Sequence, residues 1–459
     1  METLAKKVLL VGVQLPRVAE ADLQGSLAEL RRLVHTLGYE TVGTLTQKRS
    51  TTSGALVLGE GKLRELAKWT GGPGVVASAA VRKKTKAAER LEAEELSDAD
   101  EDEPEEEAAA IPEGSQADCI VFDCDLSPSQ LRNLESAAGV TVLDRTGVII
   151  EIFSRHARTP AARLQVEIAR LNYLAPRIRE TGGGASDRQG GGVGGKGAGE
   201  SSQELDRRHI RDRIKELKTE LESVQKESSV RRSRRTQENA VALVGYTNAG
   251  KSSLMRAMTG SEVLVADKLF ATLDTTIRPL HPESVPKVLL SDTVGFIKKL
   301  PHDLVASFHS TLEEALNADL LLFVVDASDP TFRSQLEVTR TVLGEIGALK
   351  LPSKIILNKR DRLSAGEIER LRSEYPAAIF LSTRNPDDLR SLRETLLQFF
   401  EKDMQEAQLV VPYQVQGAIG EIRRVMRVIE ETYDERGVTL SVRARAEDLL
   451  RVRERFKLD

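Results

Sequence analysis

The feature that most restricts how this chain can fold is a short apolar run followed at once by a glycine-rich segment. Residues 240–244 have the composition of a buried strand, the next eight match the pattern GxxxxGK[ST], and residues 253–258 have helical character. This order predicts a loop in which backbone N–H groups and a helix N-terminus face phosphate. The candidate phosphate-binding residues are Gly245, Tyr246, Thr247, Asn248, Ala249, Gly250, Lys251, Ser252 and Ser253. Lys251 would add a positive charge between the β- and γ-phosphates, and the Ser252 hydroxyl would ligate Mg²⁺.

A second strand-like run, residues 288–291, leads into an aspartate and a glycine at DxxG spacing. The candidate nucleotide-binding residues in this segment are Asp292, Thr293, Val294 and Gly295. An aspartate at a strand end would hold Mg²⁺ through a water molecule. The Gly295 N–H would bond the γ-phosphate and respond to its loss.

Two later strand-like runs, residues 355–357 and 379–381, lead into segments whose chemistry selects a base. These segments are Asn358, Lys359, Arg360 and Asp361, and Ser382, Thr383 and Arg384. The Asp361 carboxylate would accept hydrogen bonds from N1–H and the 2-amino group of guanine. Adenine has neither donor there, so a buried unpaired carboxylate would reject it. Asn358 would bridge to the phosphate loop, the Lys359 stem would lie across the ring, and a backbone N–H of 382–384 would reach guanine O6.

The segment 269–276, between the phosphate loop and Asp292, contains three threonines. One of them should coordinate Mg²⁺ only while the γ-phosphate is present; Thr272 is the preferred candidate, with Thr275 and Thr276 as alternatives that suit an ordinary strand. The residues predicted to contact the nucleotide here are Phe270, Ala271, Thr272, Leu273 and Asp274. The candidate catalytic residues are Lys251, Thr272 and Gly295. The candidate metal ligands are Ser252, Thr272 and, through water, Asp292.

Phe296 follows Gly295 directly. Ras-type GTPases place at this position the glutamine that orients the attacking water. A phenylalanine side chain cannot hydrogen-bond water in that way, although it could simply pack in the core. Both interpretations predict slow intrinsic hydrolysis that a partner must accelerate.

Strand and helix signals alternate in residues 1–157. Strand character is found in residues 7–15, 118–125 and 141–152. Apolar residues between 27 and 37 recur at helical spacing. Ser127-Pro128-Ser129-Gln130 carries an N-cap serine, a first-turn proline and a capping-box glutamine, so a helix should follow. This alternation predicts a small α/β domain.

An acidic insertion, about residues 83–114, interrupts this region. Residues 92–107 carry eleven acidic side chains and no basic one. Such charge density cannot bury a core, so the insertion is predicted to be a disordered surface loop, with an acidic interaction arm as the alternative. Because the whole chain carries −4 and this tract −11, the remainder is at +7, which leaves room for an anionic partner such as RNA.

Residues 158–236 contain two apolar stripes with about two residues per heptad. The stripes are Leu164, Ile168, Leu171 and Ile178, and Ile210, Ile214, Leu217, Leu221 and Val224. Ten of the eighteen residues 182–199 between them are glycine, so no helix can persist there. The predicted structure is an antiparallel helical hairpin with a glycine-rich tip.

The second predicted helix is rich in basic residues away from its stripe. They are Arg207, Arg208, Arg211, Arg213, Lys215 and Lys218. Interleaved acidic residues leave two interpretations open: a solvated surface with i,i+4 ion pairs, or a surface that contacts RNA.

The remaining chain divides into a predicted GTPase domain, residues 237–403, and a small C-terminal α+β tail, residues 404–459. The tail is predicted to contain a helix near residues 422–429, a strand at 438–442 and then a charged helix. No run of about 18 apolar residues is present, so no membrane span is predicted. The apolar run after Lys7 is too short for a secretory signal. Two cysteines, Cys119 and Cys124, suit free thiols in a reducing cytosol, which predicts a cytoplasmic protein.

The sequence resembles the HflX family of ribosome-associated GTPases, within the Obg-like P-loop GTPases, over nearly its whole length. The resemblance rests on the glycine-rich tip and on residues 59–62 (GEGK), 144–149 (DRTGVI), 164–167 (LQVE), 206–208 (DRR), 270–274 (FATLD) and 292–296 (DTVGF). It implies GTP and Mg²⁺ as ligands and GTP-dependent binding to the large ribosomal subunit, both rRNA and ribosomal proteins. It also implies that the hairpin reaches toward the peptidyl-transferase region, and that the protein acts in ribosome splitting, rescue or recycling.

Other functions remain open on the residues alone. One is a GTP-regulated scaffold or ribosome-assembly factor with incidental hydrolysis, whose hairpin contacts proteins. Partner binding would depend more steeply on salt if the hairpin contacts RNA than if it contacts protein. An ATPase is disfavoured by Asp361, and Gly59-x-Gly61-Lys62 is too short to predict a second nucleotide site. The predicted fold class is a multidomain α/β protein: N-terminal α/β domain, antiparallel helical hairpin, P-loop GTPase domain with a mostly parallel sheet, and C-terminal α+β tail.

Overall fold

The computed structural model describes eleven stretches of the chain. They are residues 5–54, 56–76, 116–178, 202–233, 239–260, 269–270, 275–299, 315–402, 404–415, 417–435 and 437–458. The acidic insertion and the glycine-rich tip lie outside these stretches. Packing groups the chain into two compact units, residues 1–155 with 166–218, and residues 156–165 with 219–459. The division into four parts stays a prediction. None of the described helices is long and apolar enough to cross a membrane.

A four-stranded parallel sheet forms the centre of the first unit, in the order β2-β1-β3-β4. Its strands are β1 (Lys7–Gln14), β2 (Glu40–Lys48), β3 (Cys119–Phe122) and β4 (Thr141–Asp144). The accompanying helices are α1 (Glu20–Thr36), α2 (Glu60–Thr70), α3 (Pro128–Ala138) and α4 (Arg145–His156). All four residues of β3 and the middle of β1 are buried, as expected for central strands of a parallel sheet.

The capping box predicted at the start of α3 is confirmed. The Ser127 hydroxyl accepts from the Gln130 N–H at 3.2 Å, and the Gln130 side-chain oxygen accepts from the Ser127 N–H at 2.9 Å. These bonds satisfy two N–H groups that the helix itself leaves without partners.

The strand predicted over residues 141–152 is wrong beyond Asp144, where α4 begins. Asp144 accepts a hydrogen bond from the Gly147 N–H at 2.8 Å and so stabilises a helix N-terminus directly after the strand. The apolar side chains that follow, from Val148 to Phe153, are all buried. A nearly continuous apolar run has no visible period, so the sequence pattern could not separate helix from strand here.

Two helices occupy the region of the predicted hairpin. They are α5 (Pro160–Leu174), with a 3₁₀ turn at Ala175–Arg177, and α6 (Ser202–Ser233). Ile178, the last residue of the first predicted stripe, lies beyond the end of α5. On α6 every stripe residue is less exposed than the basic residues, and Leu217 is buried, so the narrow apolar seam is confirmed. The antiparallel pairing of the two helices stays a prediction.

Within the first unit, one buried carboxylate joins the end of β4 to the end of α5. Asp144 is fully buried and accepts from the Leu126 N–H at 3.3 Å and the Gly147 N–H at 2.8 Å. It also accepts from the Tyr173 hydroxyl at 2.8 Å and the Arg177 guanidinium at 3.0 Å. Burial, together with the adjacent Asp144 charge, raises the pKa of Tyr173, so its hydroxyl keeps the proton that it donates.

A six-stranded sheet forms the centre of the second unit, in the order β10-β9-β8-β5-β7-β6. Its strands are β5 (Asn239–Val244), β6 (Thr276–Pro279), β7 (Val288–Asp292), β8 (Leu320–Asp326), β9 (Ser353–Asn358) and β10 (Ile379–Phe380). The helices are α7 (Lys251–Thr259), α8 (Phe332–Glu345), α9 (Ala365–Glu374) and α10 (Pro386–Glu401). Only β6 is antiparallel to its neighbour, so the loops after the other five strands lie along one edge.

An antiparallel three-stranded sheet, in the order β11-β13-β12, ends the second unit. Its elements are β11 (Gln405–Val411), α11 (Ala418–Val425), β12 (Arg427–Tyr433), β13 (Val438–Ala444) and α12 (Ala446–Phe456). The helix predicted near Ile422 to Ile429 ends at Val425, and Ile429 lies in β12. The predicted strand near Val438 and the final charged helix are confirmed.

Candidate nucleotide-binding site

The loop between β5 and α7 is shaped by two glycines. Gly250 has φ of +97°, and a Cβ there would collide with the Asn358 side-chain amide. A Cβ on Gly245 would collide with the Val324 carbonyl of β8. Only glycine fits both positions, and the loop therefore enters α7 with its backbone close to the neighbouring strand ends.

Lys251 begins α7 and extends back over this loop. Its side chain is buried, and Nζ donates to the Gly245 carbonyl at 3.0 Å and to the Tyr246 carbonyl at 2.9 Å. Burial lowers the pKa of Lys251 to about 8, while the Asp292 charge acts in the opposite direction. An anion placed beside Nζ would offset the cost of burying this ammonium group.

Ser252 and Asp292 bring two oxygen atoms to one point at the sheet edge. The Ser252 hydroxyl donates to Asp292 Oδ2 at 2.7 Å, and Asp292 is fully buried at the end of β7. The next residue, Thr293, donates from its hydroxyl to the Leu243 carbonyl at 2.7 Å. The chain after β7 is therefore held against β5.

The segment 295–298 is joined to the phosphate loop by hydrogen bonds, two of them between main-chain atoms. The Phe296 carbonyl accepts from the Thr247 N–H at 2.8 Å, and the Phe296 N–H donates to the Gly245 carbonyl at 3.1 Å. The Tyr246 hydroxyl accepts from the Lys298 N–H at 2.6 Å. The Phe296 side chain is only 2% exposed, so it packs in the interior and offers no polar atom to a water.

Gly295 lies against the phosphate loop with no room for a side chain. A Cβ would be 2.9 Å from Thr247 Cα and 3.1 Å from Lys251 Nζ.

Gly295→Ala should therefore displace this segment and lower the rate of GTP hydrolysis about 100-fold, with much smaller loss of GDP affinity. Single-turnover hydrolysis and GDP titration check this, with Gly366→Ala, whose Cβ would meet open space, as the control. Equal hydrolysis rates in the two variants would refute it.

Asn358 and Lys359, after β9, both reach the phosphate loop. Asn358 Nδ2 donates to the Ala249 carbonyl at 2.9 Å, and Lys359 Nζ donates to the Asn248 carbonyl at 2.9 Å. Lys359 also pairs with Asp326, at the end of β8, at 2.7 Å. Asp326 was not among the predicted site residues, although an aspartate ending a buried strand at the same sheet edge was a usable signal.

Asp361 meets the segment after β10. The Ser382 hydroxyl donates to Asp361 Oδ1 at 2.6 Å, and this bond holds the pKa of Asp361 below its usual value. The carboxylate is therefore ionised at neutral pH and can accept from a base. A cavity of about 350 Å³ adjoins it, lined by Arg360, Asp361, Ile368, Arg372, Phe380, Ser382, Arg384 and Asn385.

The other predicted site residues divide into three groups. Ala271, Thr272, Leu273 and Asp274 lie outside the described residues, and Phe270 beside them is buried with φ of +57°. Ser253 lies in the first turn of α7, and Val294 and Thr383 lie in the segments that follow β7 and β10. The Arg360 side chain pairs at 2.7 Å with Asp388, a residue that the sequence pattern did not single out.

Taken together, the strand ends carry a glycine-rich loop that leads into a helix, a buried lysine, a pair of hydroxyl and carboxylate oxygens, and an ionised carboxylate beside a cavity. Backbone N–H groups and Lys251 suit polyphosphate. Asp361 suits a base that presents adjacent N–H donors. These groups can bind a nucleoside polyphosphate and stabilise charge on its terminal phosphate.

Three family models match successive parts of the chain. A model described as GTP-binding GTPase N-terminal matches residues 24–79 and 103–154, and one described as GTP-binding GTPase Middle Region matches residues 156–235. The third, described as 50S ribosome-binding GTPase, matches residues 240–359.

Individual relatives match over nearly the whole length. The chain is 59% identical over 436 residues to GTPase HflX of Gluconacetobacter diazotrophicus, covering 95% of this chain and 94% of that protein. It is 37% identical over 462 residues to GTPase HflX of Caldanaerobacter subterraneus subsp. tengcongensis, covering 100% and 95%. A solved structure described as a complex of SsGBP and GDP has a TM-score of 0.43 at 24% identity, covering 86% of this chain and 98% of that one, a likeness too low to add to the assignment. By its sequence relatives the chain belongs to the HflX family of GTPases and is a GTP-hydrolysing enzyme.

Proposed function

We propose that GTP binds at the edge of the six-stranded sheet, with its phosphates on residues 245–253 and its base between segments 358–361 and 382–384. The observation that carries this proposal is the convergence of these segments. Asn358 bonds the Ala249 carbonyl, and Ser382 bonds Asp361, so the base-selecting residues adjoin the phosphate loop. Phosphate binding by backbone N–H groups and guanine selection by Asp361 then act on one ligand.

The oxygen atoms at this edge suit Mg²⁺, a hard cation that prefers oxygen ligands. Ser252 Oγ and Asp292 Oδ2 are 2.7 Å apart. Ser252 would bind the ion directly, Asp292 through water, and Thr272 only while the γ-phosphate is present. When bound, Mg²⁺ would neutralise charge on the β- and γ-phosphate oxygens.

Lys251 and Gly295 are the groups of this chain that we assign to hydrolysis. Lys251 Nζ would stabilise the charge that develops on the phosphate oxygens, and the Gly295 N–H would bond the γ-phosphate. Phe296 is buried and cannot orient a water molecule. The enzyme alone should therefore hydrolyse GTP slowly and depend on a partner for acceleration.

The partner that we propose is the large ribosomal subunit, both its rRNA and its proteins. Two observations support it: the match to a model described as 50S ribosome-binding GTPase, and the exposed basic surface of α6. That surface carries Arg207, Arg208, Arg211, Arg213, Lys215 and Lys218, all exposed. RNA phosphates would bind such a surface with a steep dependence on salt. The biological role would be cytoplasmic: ribosome splitting, rescue or recycling.

The test is GTP hydrolysis with and without purified large subunits. We expect about tenfold or greater stimulation for the wild type and none for Ser252→Ala, which removes the proposed metal ligand. A variant with Arg207 and Arg211 both changed to alanine should keep its basal rate, lose part of the stimulation, and bind the subunit with a shallower dependence on salt than the wild type. Clear GTP binding without stimulation would favour a GTP-regulated scaffold instead.

A further inference from the structure

Asp388 lies outside every nucleotide-binding motif, yet it is buried beside two of them. It occupies the first turn of α10, where Asn385 caps the helix by accepting from the Asp387 N–H at 3.0 Å. The Asp388 side chain is 7% exposed, whereas that of its neighbour Asp387 is 78% exposed. A buried carboxylate requires partners for its charge, and those partners define what Asp388 does.

Both Asp388 oxygens are bound by the segments proposed to hold guanine. Oδ2 accepts from the Ser382 N–H at 2.7 Å, and Oδ1 pairs with the Arg360 guanidinium at 2.7 Å. Both are charge-assisted bonds at favourable distances. One carboxylate therefore fixes the segment after β9 and the segment after β10 to the same helix.

These bonds form a ring of contacts that includes Asp361, whose carboxylate is proposed to recognise the base. The Ser382 hydroxyl donates to Asp361 Oδ1, and Asp388 accepts from the Ser382 N–H. Arg360, which precedes Asp361 in the chain, pairs with Asp388. A further bond joins the Arg360 N–H to the Leu381 carbonyl at 3.2 Å. These contacts couple the position of the Asp361 carboxylate to those of Ser382 and Arg360.

We propose that Asp388 is a positioning residue for guanine specificity, holding the Asp361 carboxylate and the segment 382–384 in a fixed relative position. This inference rests on the assignment of these segments to the base. A carboxylate that accepts from two donors at once needs both of its oxygens correctly placed. If Asp361 is held less firmly, we expect its contact to the guanine 2-amino group to weaken first. Loss of Asp388 should therefore weaken GDP binding more than binding of IDP, which lacks that amino group.

The experiment is calorimetric titration of GDP and of IDP into the full-length protein. Asp388→Asn keeps the side-chain shape and removes the charge; we expect about tenfold weaker GDP binding and a smaller loss for IDP, so that the GDP/IDP affinity ratio falls. Asp387→Asn, one residue away and exposed, is the matched control and should leave both affinities unchanged. An unchanged GDP/IDP affinity ratio in a folded Asp388→Asn protein would overturn the proposal, even if both affinities fell.

A second variant keeps the test decisive if Asp388→Asn does not fold. Arg360→Met retains the aliphatic stem and removes the ion pair, and it should lower the same ratio. In the double variant the losses should be less than additive, because both changes break one ring. A wild type that binds GDP and IDP equally would instead refute the base assignment itself.

Discussion

Replacing Asp361 with asparagine is expected to lower the affinity for GDP about 1,000- to 10,000-fold and to create affinity for XDP. The amide oxygen of the introduced side chain can still accept from the Ser382 hydroxyl, as Asp361 Oδ1 does at 2.6 Å, so the loop keeps its shape. The amide nitrogen then faces the base. It opposes the N–H and amino donors of guanine and donates to the 2-carbonyl of xanthine.

Titration of GDP and XDP into both proteins measures this exchange. Melting curves without nucleotide check that the variant is folded, and the exposed Asp387→Asn serves again as the matched carboxylate-to-amide control. Retention of GDP affinity by the Asp361→Asn protein, with no gain for XDP, would mean that another group reads the base.

Replacing Lys251 with alanine is expected to reduce GTP hydrolysis about 100- to 1,000-fold. The change removes the buried positive charge beside the phosphate loop, together with its bonds to the Gly245 and Tyr246 carbonyls. The loop loses part of its support as well as the group that stabilises charge on the phosphates. Nucleotide affinity should fall too, since Lys251 is proposed to contact the ground state.

Phosphate release over many turnovers, at saturating GTP, measures the Lys251→Ala effect apart from weakened binding. Lys350→Ala is the control, because Lys350 is exposed and precedes β9 at the end of the strand opposite to the site. Hydrolysis within about threefold of wild type would remove Lys251 from the proposed mechanism and point to a different source of charge stabilisation.

The candidate site could be predicted in outline because its motifs are contiguous. A strand, a turn and a helix place Gly245 to Ser252 without reference to any distant residue. The Asn358 bond to the Ala249 carbonyl has the geometry expected from sequence order alone. Parallel strands bring their carboxyl ends together, so motifs widely separated along the chain meet at one edge.

Two residues at the site were not predicted: the strand-end position of Asp326 was a usable signal, whereas the role of Asp388 depends on partners that form no motif with it. Asp326 pairs with Lys359 across 33 residues, and Asp388 acts through Ser382 and Arg360. Each is an aspartate whose immediate neighbours in the sequence form no motif. Only the packing of the strand ends and α10 reveals what they bind.

The fold was predicted best where the apolar period was clear and least well where the apolar run was nearly continuous. The capping box at Ser127 and the seam of α6 are local signals, and both are confirmed. The run from Val148 to Phe153 is apolar except for one glutamate, and a side-chain bond from Asp144 to the Gly147 N–H favours the helix. The C-terminal helix was extended too far because Ile429, in β12, continues the helical spacing by coincidence.

The buried Asp144 limits how this protein can be divided. The match to the N-terminal family model ends at residue 154, and the sequence pattern changes near residue 157. Two of the donors to Asp144, Tyr173 and Arg177, lie beyond both points. A fragment that ends at either point would lack Arg177, so the buried Asp144 carboxylate would lose its cationic partner at a cost of about 3–5 kcal/mol. We therefore expect the segment matched by the N-terminal family model to be destabilised on its own, and a stable fragment to extend through the 3₁₀ turn at Ala175–Arg177.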